Sequence, residues 1–193
     1  MFKDPNYTIA ALIGSIGYFQ FDYLNPILSL RLFDLGLNQF RIGLFFTIAA
    51  FLYTLSSVLI PFLPKRINKK VWIFLGIIAS VFSQFCMGPS KILSFPQDSL
   101  ILIGLGQALM GVFCPFILVF VLPEMIEVVE KKYPDMTERQ KAYQTDITTG
   151  LLNSILGMGQ MTGPIFSASF AKSFGFRLTC DVVAVSCLVL AGM

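Results

Sequence analysis

Asp22 is the residue in this chain from which chemistry is most directly built, because it is a carboxylate set inside an apolar run, with Gln20, Asn25 and Pro26 close by. A charged side chain at the centre of a bilayer costs roughly 3 kcal/mol or more, so such residues face a bundle interior or a wet cavity. Pro26 cannot donate the helical bond to residue i−4, which frees the Asp22 carbonyl and kinks the helix there. The cluster reads in two ways. It binds a solute or exchanges protons, or Asp22 is a brace, bonded to a neighbouring helix or placed near the interface.

A second run, from Thr148 to Ala168, is unusually small and polar for a membrane helix. Gly159 and Gly163 form a small-xxx-small pair that lets another helix approach closely, and Pro164 adds a bend. Asn153 and Gln160 are seven residues apart, two helical turns, and share one face. Close packing explains the glycines but does not require the two amides, so that face is read as lining a cavity.

Several chemistries are excluded. The chain has no histidine, the commonest general base and metal ligand. Cys86, Cys114, Cys180 and Cys187 stand in apolar runs without a C-x-x-C pair, which makes them small core residues. Only Asp22 is read as a deep carboxylate, so neither a Ser-His pair nor an aspartyl dyad can be assembled. No enzyme activity, metal or cofactor is expected. The net charge of +3 is dispersed and argues against nucleic acid as a partner.

The elements that must position these residues are membrane helices. Of 193 residues, 55% are hydrophobic and 13% charged, against roughly a quarter charged in a soluble domain. Six apolar segments run from about Thr8 to Leu30, Ile42 to Leu63, Val71 to Gly88, Leu100 to Leu122, Ile147 to Phe170 and Leu178 to Met193. Each approaches the roughly 20 residues of a crossing. Alternating strands of a barrel are absent. The expectation is one all-α, six-helix transmembrane module over 1–193, with its last helix truncated. The polar stretch from Pro123 to Asp146 is expected to be a connector holding a short interfacial helix. Lys3, Lys65, Arg66, Lys69, Lys70, Lys131, Lys132, Arg139 and Lys141 collect on one side, nine cations against five on the other. The positive-inside rule therefore predicts a cytoplasmic N-terminus.

Three motifs carry a resemblance to the major facilitator superfamily. The turn PFLPKRINKKV is similar to the family's loop motif G-x-L-A-D-R-x-G-R-K through Leu63, Arg66, Lys69 and Lys70, with Lys65 in place of the aspartate. The run GQMTGPIFSA resembles the antiporter motif G-x-x-x-G-P-x-x-G-G through Gly159, Gly163 and Pro164. The stretch DYLNPILSLRLFDLGLNQFRIGLFF resembles the vesicular amine transporter branch, with Asn25 where that branch often has a carboxylate. The resemblance implies one six-helix half of a twelve-helix alternating-access carrier. It implies a proton-coupled or facilitative carrier for a small solute, a cationic amine exchanged for protons being the candidate, at a site formed by Asp22, Asn25, Asn153 and Gln160. Pro26, Gly159, Gly163 and Pro164 would then serve packing and gating, and Lys65, Arg66, Lys69 and Lys70 the cytoplasmic loop. The partners implied are the lipid bilayer, the solute and an N-terminal six-helix half, fused or separate. A non-transporting membrane scaffold or a remnant transporter fragment is the alternative.

Overall fold

The computed structural model describes residues 5–64, 68–90, 95–96 and 99–191. These form α1 (Pro5–Asp22), α2 (Leu24–Asp34), α3 (Gln39–Leu59), α4 (Lys69–Met87), α5 (Leu100–Lys132), α6 (Glu138–Phe174) and α7 (Phe176–Ala191), with a 3₁₀ turn at Ile60–Phe62 after α3. The first expected span is thus two helices. The break falls at Tyr23, whose N–H still bonds the Phe19 carbonyl at 2.9 Å. Pro26 has no N–H to give the Asp22 carbonyl, which is why the ladder fails at this point. Gly36, at φ 80°, turns the chain after α2. Asn38 then caps α3 by accepting from the Arg41 N–H at 3.0 Å.

The expected connector from Pro123 to Asp146 takes a different form. There is no separate interfacial helix: α5 continues unbroken to Lys132, and α6 begins at Glu138. The reason is local. Glu127 and Lys131 form an i,i+4 ion pair at 2.7 Å, which favours helix continuation, and the stop comes only before Pro134. Thr137 and Gln140 then form a capping box that starts α6. With 33 and 37 residues at about 1.5 Å per residue, both helices exceed a hydrocarbon core of about 30 Å. Their charged ends project from it as an antiparallel pair.

Among the described residues, the stretch Gln39–Phe62, α4 and α5 are each long and apolar enough to cross a membrane. The first span is divided at Tyr23, α6 is diluted by Asn, Gln, Gly and Thr, and α7 is described over 16 residues. α5 lies at the centre of the bundle. Its residues enter both apolar clusters, Ile103 and Met110 in one and Ile117, Val121 and Met125 in the other. Short hydroxyl bonds tie its neighbours to it. Ser56 of α3 donates to the Val112 carbonyl and Ser83 of α4 to the Gly106 carbonyl, each at 2.7 Å. The outer face of α3 exposes Leu44, Phe51, Leu55 and Val58, as a lipid-facing helix does.

Candidate functional site

The site is positioned by the contact between α1 and α6. A Cβ placed on Gly159 would lie 2.4 Å from the Ser15 carbonyl oxygen, and one on Gly163 would lie 3.0 Å from the Tyr23 nitrogen. The two glycines therefore bring the backbones together, as the small-xxx-small spacing anticipates. Contacts advance in the same direction along both chains, so α1 and α6 run parallel. At about 100° per residue, Tyr18 and Asp22 project from one flank of this seam. Two parallel right-handed helices place Asn153 and Gln160 on that same flank, and both are exposed.

Asp22 is half-buried there. Its Oδ1 accepts a hydrogen bond from Asn25 Nδ2 at 3.2 Å. Tyr18 lies within electrostatic reach of Asp22 and of the buried Cys114 of α5, and Tyr53 of α3 lies within reach of Tyr18 and Cys114. The Phe21 and Tyr53 rings are 6.0 Å apart. Tyr18 is thus the aromatic side chain beside the carboxylate, and Tyr53 is linked to it through Tyr18. Sequence reading missed Tyr18, because an aromatic residue in a membrane helix is an ordinary lipid or core residue until a carboxylate is placed beside it.

The four expected site residues do not converge on one point. Asp22 is level with Gly163. Helical rise puts Gln160 about 5 Å and Asn153 about 15 Å farther along the seam. Asn25 instead joins Asp22 to a cavity of about 200 Å³ between α1–α2, α3, α4 and α5. Its polar lining is Gln20, Asn25 and Gln107. Gln20 is buried, and its Oε1 has no hydrogen-bond partner among the described residues.

Comparison with known families decides the assignment: the Major Facilitator Superfamily profile matches residues 10–193. The chain belongs to that superfamily. A search of curated proteins finds no match. Superfamily carriers are transporters, and an all-helical chain of this size is consistent with one six-helix half of such a carrier. The chain is accordingly an integral membrane protein.

In this superfamily member Lys69 and Lys70 open α4 at the charged end of the bundle. Lys65 and Arg66 fall outside the described residues. Lys69 and Lys70 are described, and both are paired. Lys69 Nζ donates to Glu127 Oε2 at 2.6 Å, and Lys70 Nζ lies 3.5 Å from Glu124 Oε1. Hydrogen bonds from Lys131 and then Lys69 hold the Glu127 carboxyl at about 2, below the ordinary carboxylate range. A carboxyl so depressed adds stability above its unfolded value near 4 and loses it as the pH falls toward 2. Glu127 is 37% exposed, so screening limits the effect. Glu127→Gln is expected to lower unfolding stability at pH 7 by about 0.5–1 kcal/mol. The difference should disappear near pH 2. Denaturant titration of the detergent-solubilised protein at both pH values checks this, and equal stability at pH 7 would show that the pair contributes nothing.

One buried carboxylate with no hydrogen-bond partner among the described residues was missed. Asp181, in α7, is 3% exposed, and neither of its oxygens has a hydrogen-bond partner among the described residues. The sequence reading treated Asp22 as the only deep carboxylate. Asp181 lies close to the start of its apolar segment, where a charge reads as an interfacial flank. Packing against α4 and the Tyr23 region, not span position, buries it.

Proposed function

We propose that this chain is one half of an alternating-access carrier that moves a small organic cation, an amine, in exchange for protons. The observation that supports this reading is Asp22, held by Asn25 and accompanied by Tyr18 on the open flank of the α1–α6 seam. A carboxylate attracts an ammonium group, and aromatic faces add cation–π attraction of about 0.5–2 kcal/mol when desolvated. The similarity of the α1–α3 stretch to the vesicular amine transporter branch points the same way. Gln160 would contact the solute about one helical turn from Asp22, whereas Asn153 would line the path farther toward the charged end. Pro26 and Pro164 bend the helices beside the site, and Gly159 and Gly163 keep the seam tight while the bundle rocks. A six-helix N-terminal half, fused or separate, would close the open flank. The charged end, with Lys69, Lys70 and Asp135, would face the cytoplasm.

The test is uptake of a radiolabelled monoamine into proteoliposomes holding this chain with its N-terminal half. Orientation would be read from an Asp135→Cys label. The four native cysteines are buried and leave that label a low background. Accumulation driven by an acidic interior and lost on collapsing the gradient is expected. Gradient-independent uptake, or none, would sink the amine–proton reading. Labelling of Asp135→Cys from the non-cytoplasmic side in cells would reverse the orientation.

A further inference from the structure

We propose that the cleft between α2, α6 and the start of α7 binds one anionic phospholipid, with the phosphate at Arg31 and Lys172 and the glycerol and first acyl carbons against the apolar wall beneath them. The inference requires only that the chain is inserted in a membrane, and it does not depend on which solute is moved. The cleft holds about 510 Å³ and lies at the end of the bundle remote from the Lys69–Glu127 pair. It exists because α2 and α6 part beyond Gly163. That glycine lets α6 lie against the Tyr23 backbone. Past it, α2 follows its own axis after the break, and the side chains that α6 sets along the gap are short, Ala168 and Ala171.

The cleft is apolar at depth and charged at its mouth. From Pro26 to Asp34 the axis of α2 rises about 12 Å, with Pro26, Ile27 and Leu30 on the inner part of the wall and Arg31 and Asp34 toward the end of the helix. Lys172 of α6 and Phe176 of α7 complete the mouth. They stand there because α6 ends at Phe174 and Gly175, at φ 84°, turns the chain into α7. The surroundings are those of a membrane boundary. Leu30, Phe33 and Phe174 are each more than half exposed, so large apolar side chains flank the cations, as they do where hydrocarbon meets headgroups. The phosphates of a bilayer lie at that level.

Charge selects the lipid. Arg31 and Lys172 against Asp34 give the cleft a formal charge of +1, which matches a phosphodiester headgroup that carries no ammonium. Lys172 is exposed and makes no ion pair among the described residues. Arg31 offers the planar fork of donors that phosphate oxygens fit, and Lys172 adds a point charge. Both cations also stand in the last turns of their helices, where a cation answers the C-terminal dipole. That role accounts for each one singly, but not for their meeting in one cleft above an apolar wall. A zwitterionic lipid would bring an ammonium group to a site already in positive excess, and a free phosphate ion would leave the apolar wall uncovered.

The experiment is native mass spectrometry of the full chain released from detergent, titrated in turn with phosphatidylglycerol, phosphatidylethanolamine and phosphatidylcholine. Wild type should take up a first phosphatidylglycerol about fivefold more tightly than either of the other two lipids. Arg31→Gln and Lys172→Gln should each weaken that first binding by about fivefold. Asp34→Asn should strengthen it by a similar factor, a gain that misfolding cannot produce. Arg41→Gln removes a cation at the same end but outside the cleft and should change nothing. Inorganic phosphate at millimolar concentration should not displace the lipid. Equal binding of phosphatidylcholine or phosphatidylethanolamine, an equal loss in Arg41→Gln, or displacement by inorganic phosphate would overturn the proposal. Loss of the preference when the N-terminal half is added would overturn it as well, by assigning the cleft to the interface between the halves.

Discussion

Asp22→Asn is expected to weaken binding of a cationic amine by about 30-fold or more while leaving the protein folded and inserted. The substitution retains the shape of the side chain and an Oδ1 that can still accept from Asn25 Nδ2, now at 3.2 Å. What it removes is the charge. Opposite unit charges about 4 Å apart at an effective dielectric near 20 attract by roughly 4 kcal/mol. Even with half of that offset by water, the loss in affinity is on the order of 30-fold or more. The Tyr18 ring beside Asp22 would remain and leave a weak residue of binding that does not depend on the Asp22 charge. If Asp22 is a brace, the pattern inverts: Asp22→Asn binds normally and Asp22→Leu misfolds. Equilibrium binding in detergent, with monodispersity measured on the same samples, separates the two. Wild-type affinity in Asp22→Asn would remove Asp22 from the site and leave Gln160 and the cavity amides Gln20 and Gln107 as the polar groups available to a solute.

Gly159→Leu should be among the most destabilising substitutions on α6. Its first added atom would already stand 2.4 Å from the Ser15 carbonyl oxygen, a backbone atom that cannot swing aside. Overpacking of this kind costs typically 1–3 kcal/mol, and here the whole α1–α6 seam has to open. Gly163→Leu should follow the same course with a smaller penalty, because its nearest neighbour, the Tyr23 nitrogen, is at 3.0 Å. Gly157 provides the internal control. It lies on the same helix, yet nothing is within 4 Å of a Cβ built there, so Gly157→Leu should unfold like wild type. Phe166→Leu should fall between them, losing ring contacts with Phe19 and Phe170 but keeping an apolar filler. Thermal unfolding in detergent ranks the four variants. Equal stability of Gly159→Leu and Gly157→Leu would mean that α6 does not pack on α1 through this stripe.

Much of this is written locally and is therefore legible in the chain itself. Apolar runs of about 20 residues separated by short polar turns can only be membrane helices, because lipid satisfies no backbone group. Pro26 announces the break at Tyr23, since a missing N–H acts on its own turn. Gly159 and Gly163 announce a close contact, since their spacing follows from the helical period. The loop and antiporter-like motifs point to the family for the same reason, as short patterns at fixed offsets. Tertiary structure decided what depends on register between helices. It selected α1 as the partner of the glycine stripe and set Asn153 about 15 Å along the seam from Asp22. It brought Tyr53 of α3 to Tyr18, 35 residues away in sequence and itself beside Asp22. It also buried Asp181, whose place near a segment end reads as interfacial until α4 and Tyr23 are packed against it. Periodicity specifies the face on which a side chain stands, and only the packing of one helix on another specifies what that face meets.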